Sequence, residues 1–478
     1  MSNQETPITR RAFLDFSATG LTAAALSCLL NRESHAASET TPPVAHHPPK
    51  ARRAIHIFLV GGLSQIDSFD YKPKLDALHG KAMPDSLKPS TFSGTVGLLR
   101  RSDWKFHQRG ESGLWVSDLF PHLATVADEL TVIRSMVADT SNHMPAMFQA
   151  NSGFQPNGFP SLGSWLSYGL GNETDSLPTF VVLPDARSQP NGGASNWSSG
   201  FLTATHQGVL FQNATEPIRD LFSAQPIERE AERDALGLLN KINQTHLEKN
   251  QGDGLLSARV RAYELAARMQ TSVPDATNFT AEPEFIRRSY GIDRPETADC
   301  GRRCLLARRL LERGTRFVQI FSGGAFGGKP RHGWDGHEDN RENHQREAAM
   351  IDQPVAALIK DLKQRGMLED TLLIFTTEFG RTPFAQSAAG VLGTGRDHNP
   401  QGFSVWLAGA GLQHGIAFGE TDEFGLRSAI DALTWPDLHA TVLHLLGLNH
   451  EKLTYYHNGI QRRLTNVHGH VVKGLLAT

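Results

Sequence analysis

Six short apolar runs, rich in β-branched residues, constrain the fold of this chain more than any other feature. They lie at residues 55–60, 130–133, 179–183, 317–321, 372–377 and 403–407. None of them alternates strictly between apolar and polar residues. This pattern is typical of parallel strands that are covered on both faces, because neither face of such a sheet meets water.

Helical patterns separate several of these runs. The clearest helix has its apolar residues on one face and ends just before Gly366, a residue type that commonly follows the last turn of a helix. The apolar residues of that face are Ile351, Val355, Leu358, Ile359 and Leu362. The repeated helix and strand order predicts an α/β fold with a doubly wound, mostly parallel sheet and helices on both faces. In such folds, ligands gather beyond the carboxyl ends of the strands.

Two segments do not follow this repeated order of helices and strands. Residues from about 225 to 270 are rich in Glu, Arg and Leu at helical spacing, which predicts a helical excursion within a single domain spanning residues 51–478. Residues 189–208 are rich in Gly, Ser and Asn and predict a long ordered loop. Loops of this length in compact domains are usually functional or disordered.

The amino terminus has the pattern of an export signal. Arg10 and Arg11 precede an apolar run at residues 21–30, and small residues surround Ala36. This order predicts a twin-arginine signal peptide over residues 1–36, recognised by the twin-arginine export machinery, and a flexible linker over residues 37–50. The mature protein is therefore expected in the periplasm or cell envelope. The alternatives are an ordinary helix that opens with two arginines, and lipoprotein cleavage at Cys28.

Composition excludes several classes of protein. Three cysteines, of which Cys300 and Cys304 follow the signal, are too few for a disulfide scaffold. A net charge of -3 with mixed signs gives no broad basic surface, so no nucleic-acid partner is expected. The apolar run in the signal is too short for a stable membrane span in the mature form.

Candidate metal ligands follow the predicted strands at separate places. Glu378 ends the strand at 372–377, Asp335 and His337 lie in the sequence Gly-Trp-Asp-Gly-His, and His398 lies in a later loop. Carboxylate and imidazole groups from different loops are suited to a divalent metal, with Zn, Ca and Mg all open. The alternative is a solvated polar loop.

Asp67 is a further candidate ligand. It follows the pair Gly61 and Gly62 after the first strand, and paired glycines allow the backbone to approach a ligand closely. The alternative is that Asp67 or Asp70 caps a turn into the next helix.

Three residues before a predicted helix are candidates for catalysis. A hydroxyl of Thr140 or Ser141 at a helix N-terminus could act as a nucleophile, because the helix dipole favours negative charge there. His143 could be a ligand, a general acid or a surface residue. The alternative for the hydroxyls is helix capping.

Arg381, just after Glu378, could clamp an anionic substrate through two hydrogen bonds.

Several of these motifs resemble a known family. Residues 366–380 resemble the Gly-x-x-Asp-x-Thr and Thr-Ser-Asp-His-Gly sequences of sulfatases and other members of the alkaline phosphatase superfamily, and residues 437–447 are similar to a late sulfatase segment. The start at residues 61–73, the loop at 197–208 and the Thr-Glu-Phe-Gly-Arg-Thr-Pro motif resemble a large uncharacterised family of exported sulfatase-like bacterial proteins. The resemblance covers residues 51–466.

The resemblance implies roles for individual residues. It implies that Asp335 and His337 are a metal pair, Glu378 a second acidic ligand and His398 a late histidine ligand, with Thr140 or Ser141 nearest to the nucleophile. Phe379 stands where the superfamily has a histidine, and Gly61 where it has an aspartate. The implied function is an exported metal-dependent hydrolase of sulfate or phosphate esters, acting on an anionic ester or a sulfated glycan. The alternative is a non-catalytic binding or scaffolding protein of the cell envelope.

Overall fold

The computed structural model describes residues 45–84, 87, 91–212, 218, 229–249, 254–325 and 331–477. Within these residues, nine strands form a central sheet in the order β12-β4-β11-β8-β1-β7-β5-β6, with β15 also pairing with β4. Its strands are β1 (Arg53–Leu59), β4 (Leu130–Val137), β5 (Phe180–Leu183), β6 (Val209–Leu210), β7 (Phe317–Ser322), β8 (Thr371–Thr377), β11 (Phe403–Gly409), β12 (Ile416–Phe418) and β15 (Leu433–Thr434). The mostly parallel α/β sheet predicted from the sequence is confirmed.

The remaining strands form two-stranded ribbons. These are β2 (Phe106–Arg109) with β3 (Leu114–Ser117), β9 (Gly380–Ala385) with β10 (Arg396–Asn399), β13 (Glu420–Thr421) with β14 (Ser428–Ile430), and β16 (Tyr455–His457) with β17 (Ile460–Arg462). The helices are α1 (Gln65–Ser68), α2 (Pro73–Leu78), α3 (His143–Ser152), α4 (Leu162–Leu170), α5 (Arg229–Lys249), α6 (Gly254–Thr277), α7 (Glu284–Ser289), α8 (Ala298–Glu312), α9 (Asn340–Gln364) and α10 (Trp435–Leu445).

One predicted strand runs in the opposite direction. β11 is antiparallel to both of its neighbours, β8 and β4, whereas the pairs that β1 makes with β7 and β8 are parallel. The expectation that all six runs are parallel is therefore wrong for β11. The connection from β8 to β11 contains the β9–β10 ribbon and no crossover helix, so the chain turns back beside β8.

Two apolar layers cover the sheet. Alternate residues of β1 belong to different layers: Ile55 packs in one with α8 and α9, and Phe58 in the other with α3, α4 and α10. Both layers are built from fully buried side chains. Burial on both faces explains why β1, like the other central strands, has a continuous apolar sequence.

Four central strands present their carboxyl ends to the loops that carry the candidate ligands. β1 leads to Gly61, β4 to the segment before α3, β7 to the loop before α9, and β8 to Glu378. Because parallel strands end at the same edge, residues that are far apart in sequence meet there.

The segments outside the regular sheet also have defined places. α5 and α6 lie in the segment predicted as a helical excursion, and short 3-10 turns lie in the loop at 189–208. The signal at residues 1–36, with Arg10, Arg11 and Cys28, and residues 37–44 of the predicted linker lie outside the described residues. The last residues of that predicted linker are docked, since the backbone N–H groups of His46 and Lys50 donate to Gly447 and Leu445. No helix in the described part of the chain combines the length and apolar character needed to cross a bilayer.

Candidate metal centre

Four side chains with metal-binding atoms converge at the carboxyl edge of the sheet. They are His143, Asp335, His337 and His398, and their potential ligand atoms all lie within 4.8 Å of one another. The Nε2 atom of His337 lies 2.9 Å from Oδ1 of Asp335. The Nε2 atoms of His143 and His398 each lie 3.3 Å from the same oxygen. Three imidazoles therefore face one carboxylate oxygen.

Local structure places each of these side chains. His143 is the first residue of α3, so its side chain leaves the N-terminus of a helix that packs in one of the two apolar layers. Asp335 and His337 lie in the turn between β7 and α9. His398 lies on β10 opposite Arg381 of β9. The cluster thus joins three segments that are well separated in the chain.

Two glycines allow the loops to approach so closely. Gly61 has a φ of 120°, and a Cβ atom there would lie 2.6 Å from the backbone nitrogens of Trp334 and Asp335. A Cβ atom at Gly395 would overlap the carbonyl of His337. The predicted close backbone approach at Gly61 is therefore to the chain's own Asp335 loop, whereas a ligand was expected there.

The second ring nitrogen of each histidine meets an acceptor. Nδ1 of His143 lies 2.7 Å from Oε1 of Glu378, and Nδ1 of His398 lies 2.6 Å from the carbonyl oxygen of Ser141. Nδ1 of His337 contacts Oε1 of Gln386. A carbonyl oxygen can only accept, so Nδ1 of His398 carries the proton, and a neutral ring then presents a bare Nε2 to the cluster. Metal-binding histidines almost always have such partners, which fix the tautomer and the ring orientation.

The spacing of the ligand atoms fits a divalent cation. Metal bonds of about 2.0–2.1 Å in tetrahedral geometry place neighbouring ligand atoms about 3.3 Å apart. The three distances from Asp335 Oδ1 to the imidazole nitrogens are 2.9, 3.3 and 3.3 Å. Three nitrogens and one carboxylate oxygen are a donor set that suits zinc and other transition metals better than Ca or Mg, which prefer oxygen ligands.

Burial and neighbouring charges shift the pKa values of the side chains in the cluster. Burial alone would raise the pKa of Asp335, but the charge of Arg381 and the three imidazoles hold that pKa well below its usual range. Burial lowers the pKa of His398 well below its ordinary value. Burial also opposes the charged form of His143, but its hydrogen bonds to Asp335 and Glu378 raise its pKa.

Glu378 lies beside the cluster. Its side chain is fully buried, and Oε1 accepts hydrogen bonds from the backbone N–H of Gly61, at 2.8 Å, and from His143. It is not among the four residues whose ligand atoms lie together. Glu378 thus contacts the ring of the candidate ligand His143, and its predicted role as a direct metal ligand stays a prediction.

Asp67 lies in a different buried network. Its carboxylate pairs with Arg396 at 2.8 Å and accepts hydrogen bonds from Ser64 and Asn340. Burial would raise its pKa, but Arg396 and the hydroxyl of Ser64 lower it overall. The oxygens of Asp67 thus contact an arginine and neutral donors, and Asp67 is not among the four clustered residues, so its role as a metal ligand stays a prediction.

Arg381 is also used differently from the expectation. Its side chain is fully buried, and its guanidinium donates to Asp335 Oδ1 at 2.7 Å and to carbonyl oxygens. The carbonyl oxygens belong to Gly61, Gly62, Trp334 and Arg396. Three of these contacts are made by Nη2, one by Nε and one by Nη1, so oxygens of the protein itself take up four of the five N–H groups of the guanidinium. These contacts tie the Asp335 loop to β9, and the anion clamp at Arg381 stays a prediction.

The candidate nucleophiles stand next to the cluster but do not contact it through their hydroxyls. Ser141 contacts His398 through its carbonyl oxygen. The hydroxyl of Thr140 accepts the backbone N–H of Asn142 at 3.2 Å. Asn142 occupies the N-cap position of α3 without a capping hydrogen bond from its side chain.

Three residues near the cluster were not singled out from the sequence. Gln386 contacts His337, Arg331 contacts the outer oxygen of Asp335, and the ring of Phe92 stacks on His398 with centroids 4.9 Å apart. Phe92 is 54% exposed, which is unusual for an aromatic ring of this size. A residue of this kind has no local sequence signal, since its partner lies far along the chain.

A cavity of about 420 Å³ opens beside Asp335. Its lining includes two guanidinium groups, Arg331 and Arg346, and the carboxylates of Glu338 and Glu342. Arg346 also donates to the carbonyl oxygen of Arg331 at 2.6 Å. The outer face of the candidate metal centre therefore has charges of both signs.

Three solved structures are similar to this chain over most of its length. The C-terminal periplasmic domain of EcEptC from Escherichia coli, in complex with Zn, is 11% identical over 87% of this chain and 88% of that chain, with a TM-score of 0.37. The PsFucS1 sulfatase from Pseudoalteromonas sp. is 13% identical over 92% and 74%, with a TM-score of 0.35. A protein in the alkaline phosphatase superfamily from Vibrio parahaemolyticus is 12% identical over 86% and 71%, also with a TM-score of 0.35.

Sequence comparison identifies the family. No curated protein matches the chain. A family model described as a protein of unknown function, DUF1501, matches residues 51–476, which is nearly the whole predicted domain. This confirms the expectation of an uncharacterised family, and the chain belongs to the DUF1501 family.

Proposed function

We propose that this protein is an exported hydrolase of sulfate or phosphate esters that uses one divalent metal. One observation carries the proposal: three imidazole nitrogens converge on Oδ1 of Asp335. Arg381 donates to the same oxygen, and the neutral ring of His398 turns a bare nitrogen towards it, so hydrogen bonds alone leave these atoms unsatisfied. A cation among these ligand atoms satisfies all of them. The sulfatase-like sequence motifs support the choice of ester hydrolysis.

The residues divide into ligands and the groups that orient them. Asp335, His143, His337 and His398 would hold the cation, and Glu378 orients the ring of His143. The other two rings are oriented by Gln386 and by the carbonyl of Ser141. When bound, the cation would supply Lewis-acid chemistry, polarising an ester oxygen or lowering the pKa of a hydroxyl group. Fully buried Phe379, 4.5 Å from the ring of His398, excludes water from the inner side of the centre.

The substrate would approach through the exposed side of the centre. Arg331, whose side chain is 30% exposed, lies on the outer oxygen of Asp335 and is the available cation for an anionic ester group. Phe92 would contact the organic part of the ester.

Thr140 and Ser141 stay candidates for the nucleophile. Ser141 already touches the ring of His398, and both residues directly precede α3. To attack an ester held at the metal, either hydroxyl must come within reach of the same substrate atom. Replacing each residue by alanine tests this assignment.

A metal-free binding or scaffolding protein of the cell envelope is the second candidate. It is favoured by the pairing of Asp335 with two arginines, Arg381 on Oδ1 and Arg331 on Oδ2. These cations balance the carboxylate without a metal ion. The two candidates therefore differ first in whether the protein carries a metal at all.

Metal content and turnover distinguish the two candidates. Protein purified without chelators is analysed for bound metal and assayed with an aryl sulfate and an aryl phosphate diester. We expect about one metal ion per chain, bound by the cluster of four ligands found among the described residues. His337→Ala and His398→Ala should both remove it and abolish turnover, whereas His468→Ala, at an exposed histidine, should change neither. Absence of both metal and turnover in the unaltered protein would make the scaffolding candidate the better one.

A further inference from the structure

A second cleft lies apart from the candidate metal centre. It has a volume of about 400 Å³, within the range of small-molecule sites. We call it the aromatic cleft, and the lining residues that matter for binding are Tyr71, Asp76, Arg101, Trp104, Lys105 and Phe106. None of these residues belongs to the four-residue metal cluster.

The aromatic walls of this cleft are fixed in place. The ring of Tyr71 packs against those of Phe106 and Trp115, with centroid distances of 5.1 and 4.6 Å. The indole N–H of Trp104 donates to Oε1 of Gln345 on α9 at 3.0 Å. Fixed walls lower the entropy lost on binding, because few side chains have to become ordered.

Free charges remain at the rim. Lys72 pairs with buried Asp70 at 3.0 Å, and Asp103 pairs with Arg100 at 2.5 Å. By contrast, within the described residues the exposed side chains of Arg101, Lys105 and Asp76 form no ion pair. The rim therefore offers two cations that can bind an anionic group, and one carboxylate that can accept hydrogen bonds from hydroxyl groups.

The cleft also faces the same edge of the sheet as the metal centre. Tyr71 and Lys72 belong to the segment that follows β1, and the backbone N–H of Asp103 donates to Asp67 at 3.2 Å. Asp67 in turn pairs with Arg396, two residues before His398. One buried network thus connects the wall of the cleft to the strand that carries a candidate ligand.

We propose that the aromatic cleft binds a sugar residue of an acidic polysaccharide that carries sulfate or carboxylate groups. A sugar ring has apolar C–H faces that pack on aromatic side chains, and hydroxyl groups that donate to a carboxylate such as Asp76. Its anionic group pairs with Arg101 and Lys105. Small inorganic anions lack the apolar face, and neutral sugars lack the charge. The site goes beyond ester hydrolysis, since it needs neither metal nor turnover.

Binding of dextran sulfate to the mature protein tests the proposal, with neutral dextran and a single-stranded DNA oligonucleotide as comparison ligands. The measurement is made with and without a chelator, so that a failure of the hydrolase proposal does not affect it. We expect binding of dextran sulfate in both conditions and no binding of neutral dextran. The double variant Arg101→Ala with Lys105→Ala should weaken binding at least tenfold, and so should Trp104→Ala.

The matched control removes two cations elsewhere, Arg52 at the amino end of β1 and Lys473 in the last 3-10 turn, both exposed. This control should change the affinity less than twofold, with the melting temperatures of all variants within a few degrees of the unaltered protein. An equal loss of affinity for dextran sulfate in the cleft and control variants would show a general attraction of polyanions and overturn the proposal. DNA binding as tight as that of dextran sulfate would do the same. So would full binding by Trp104→Ala.

Discussion

His143 and Glu378 are 235 residues apart in the chain, and Nδ1 of the imidazole lies 2.7 Å from Oε1 of the carboxylate. This contact joins the first residue of α3 to the residue that follows β8. It directs the other ring nitrogen of His143 towards Asp335. The orientation of one candidate ligand therefore depends on a buried carboxylate that is not itself in the cluster.

Glu378→Gln should weaken metal binding while leaving the fold intact. The substitution keeps the size of the side chain but weakens the hydrogen bond that orients His143. Loss of such an outer partner typically costs about 10–100-fold in metal affinity. Competition with a chromophoric chelator measures it. Glu369→Gln, at an exposed carboxylate just before β8, is the control, and an unchanged affinity in Glu378→Gln would remove Glu378 from the site.

Added zinc should stabilise the protein. A ligand that binds only the folded state at 100 times its dissociation constant adds about 2.7 kcal/mol to the free energy of unfolding. The protein is first treated with a chelator, and its free energy of unfolding is measured by urea denaturation before and after zinc is added back. We expect this gain in the zinc-loaded protein. His337→Ala should remove the gain, because its Nε2 is the imidazole nitrogen nearest to Asp335. Equal stability with and without zinc in the unaltered protein would contradict the metal centre.

Arg381→Met should lower the free energy of unfolding by roughly 3–5 kcal/mol, since removing one partner of a buried ion pair leaves an uncompensated charge. The charge in question is that of Asp335, which is 2% exposed. Arg331→Met is the matched control, because it touches the same carboxylate from a partly exposed position. Arg331→Met should lower the free energy of unfolding by less than Arg381→Met does. Comparable losses would mean that burial of Arg381 does not matter.

Stability should fall as the pH is lowered from 6.5 towards 4. Burial lowers the pKa of His56 to about 3 and that of His439 to about 4. Between these pH values the two histidines bind protons in the unfolded chain but stay neutral in the folded chain. Lowering the pH therefore favours the unfolded state. Each such histidine lowers the free energy of unfolding by about 1.4 kcal/mol for every pH unit of acidification. His439→Gln should remove one such contribution from the pH dependence measured by urea denaturation, whereas His468→Gln should not.

Export should depend on the arginine pair near the amino terminus. Changing Arg10 and Arg11 together to lysine should leave precursor in the cytoplasm, because the twin-arginine pathway reads both residues. Fractionation followed by immunoblotting measures this. A variant with Arg52→Lys, beyond the predicted signal, is the control. Normal export of the double variant would exclude the twin-arginine assignment.

The sequence by itself determined the class of fold and much of the candidate ligand set. Burial on both faces leaves a continuous apolar pattern that can be read locally, so the strands around β1 and β8 were predicted. Asp335, His337 and His398 were predicted because they follow or flank such strands. The family resemblance gave the same residues, but neither source could separate ligands from their supporting groups.

Only the tertiary structure decided which partners Asp67, Arg381 and His143 have. Each of them contacts a residue more than 45 positions away: Arg396 for Asp67, Asp335 for Arg381, and Glu378 for His143. The sequence shows which groups can donate or accept, but competition for a buried carboxylate is settled by distance in the folded chain. The reversed direction of β11 was likewise decided by its connection to β8, which has no crossover helix.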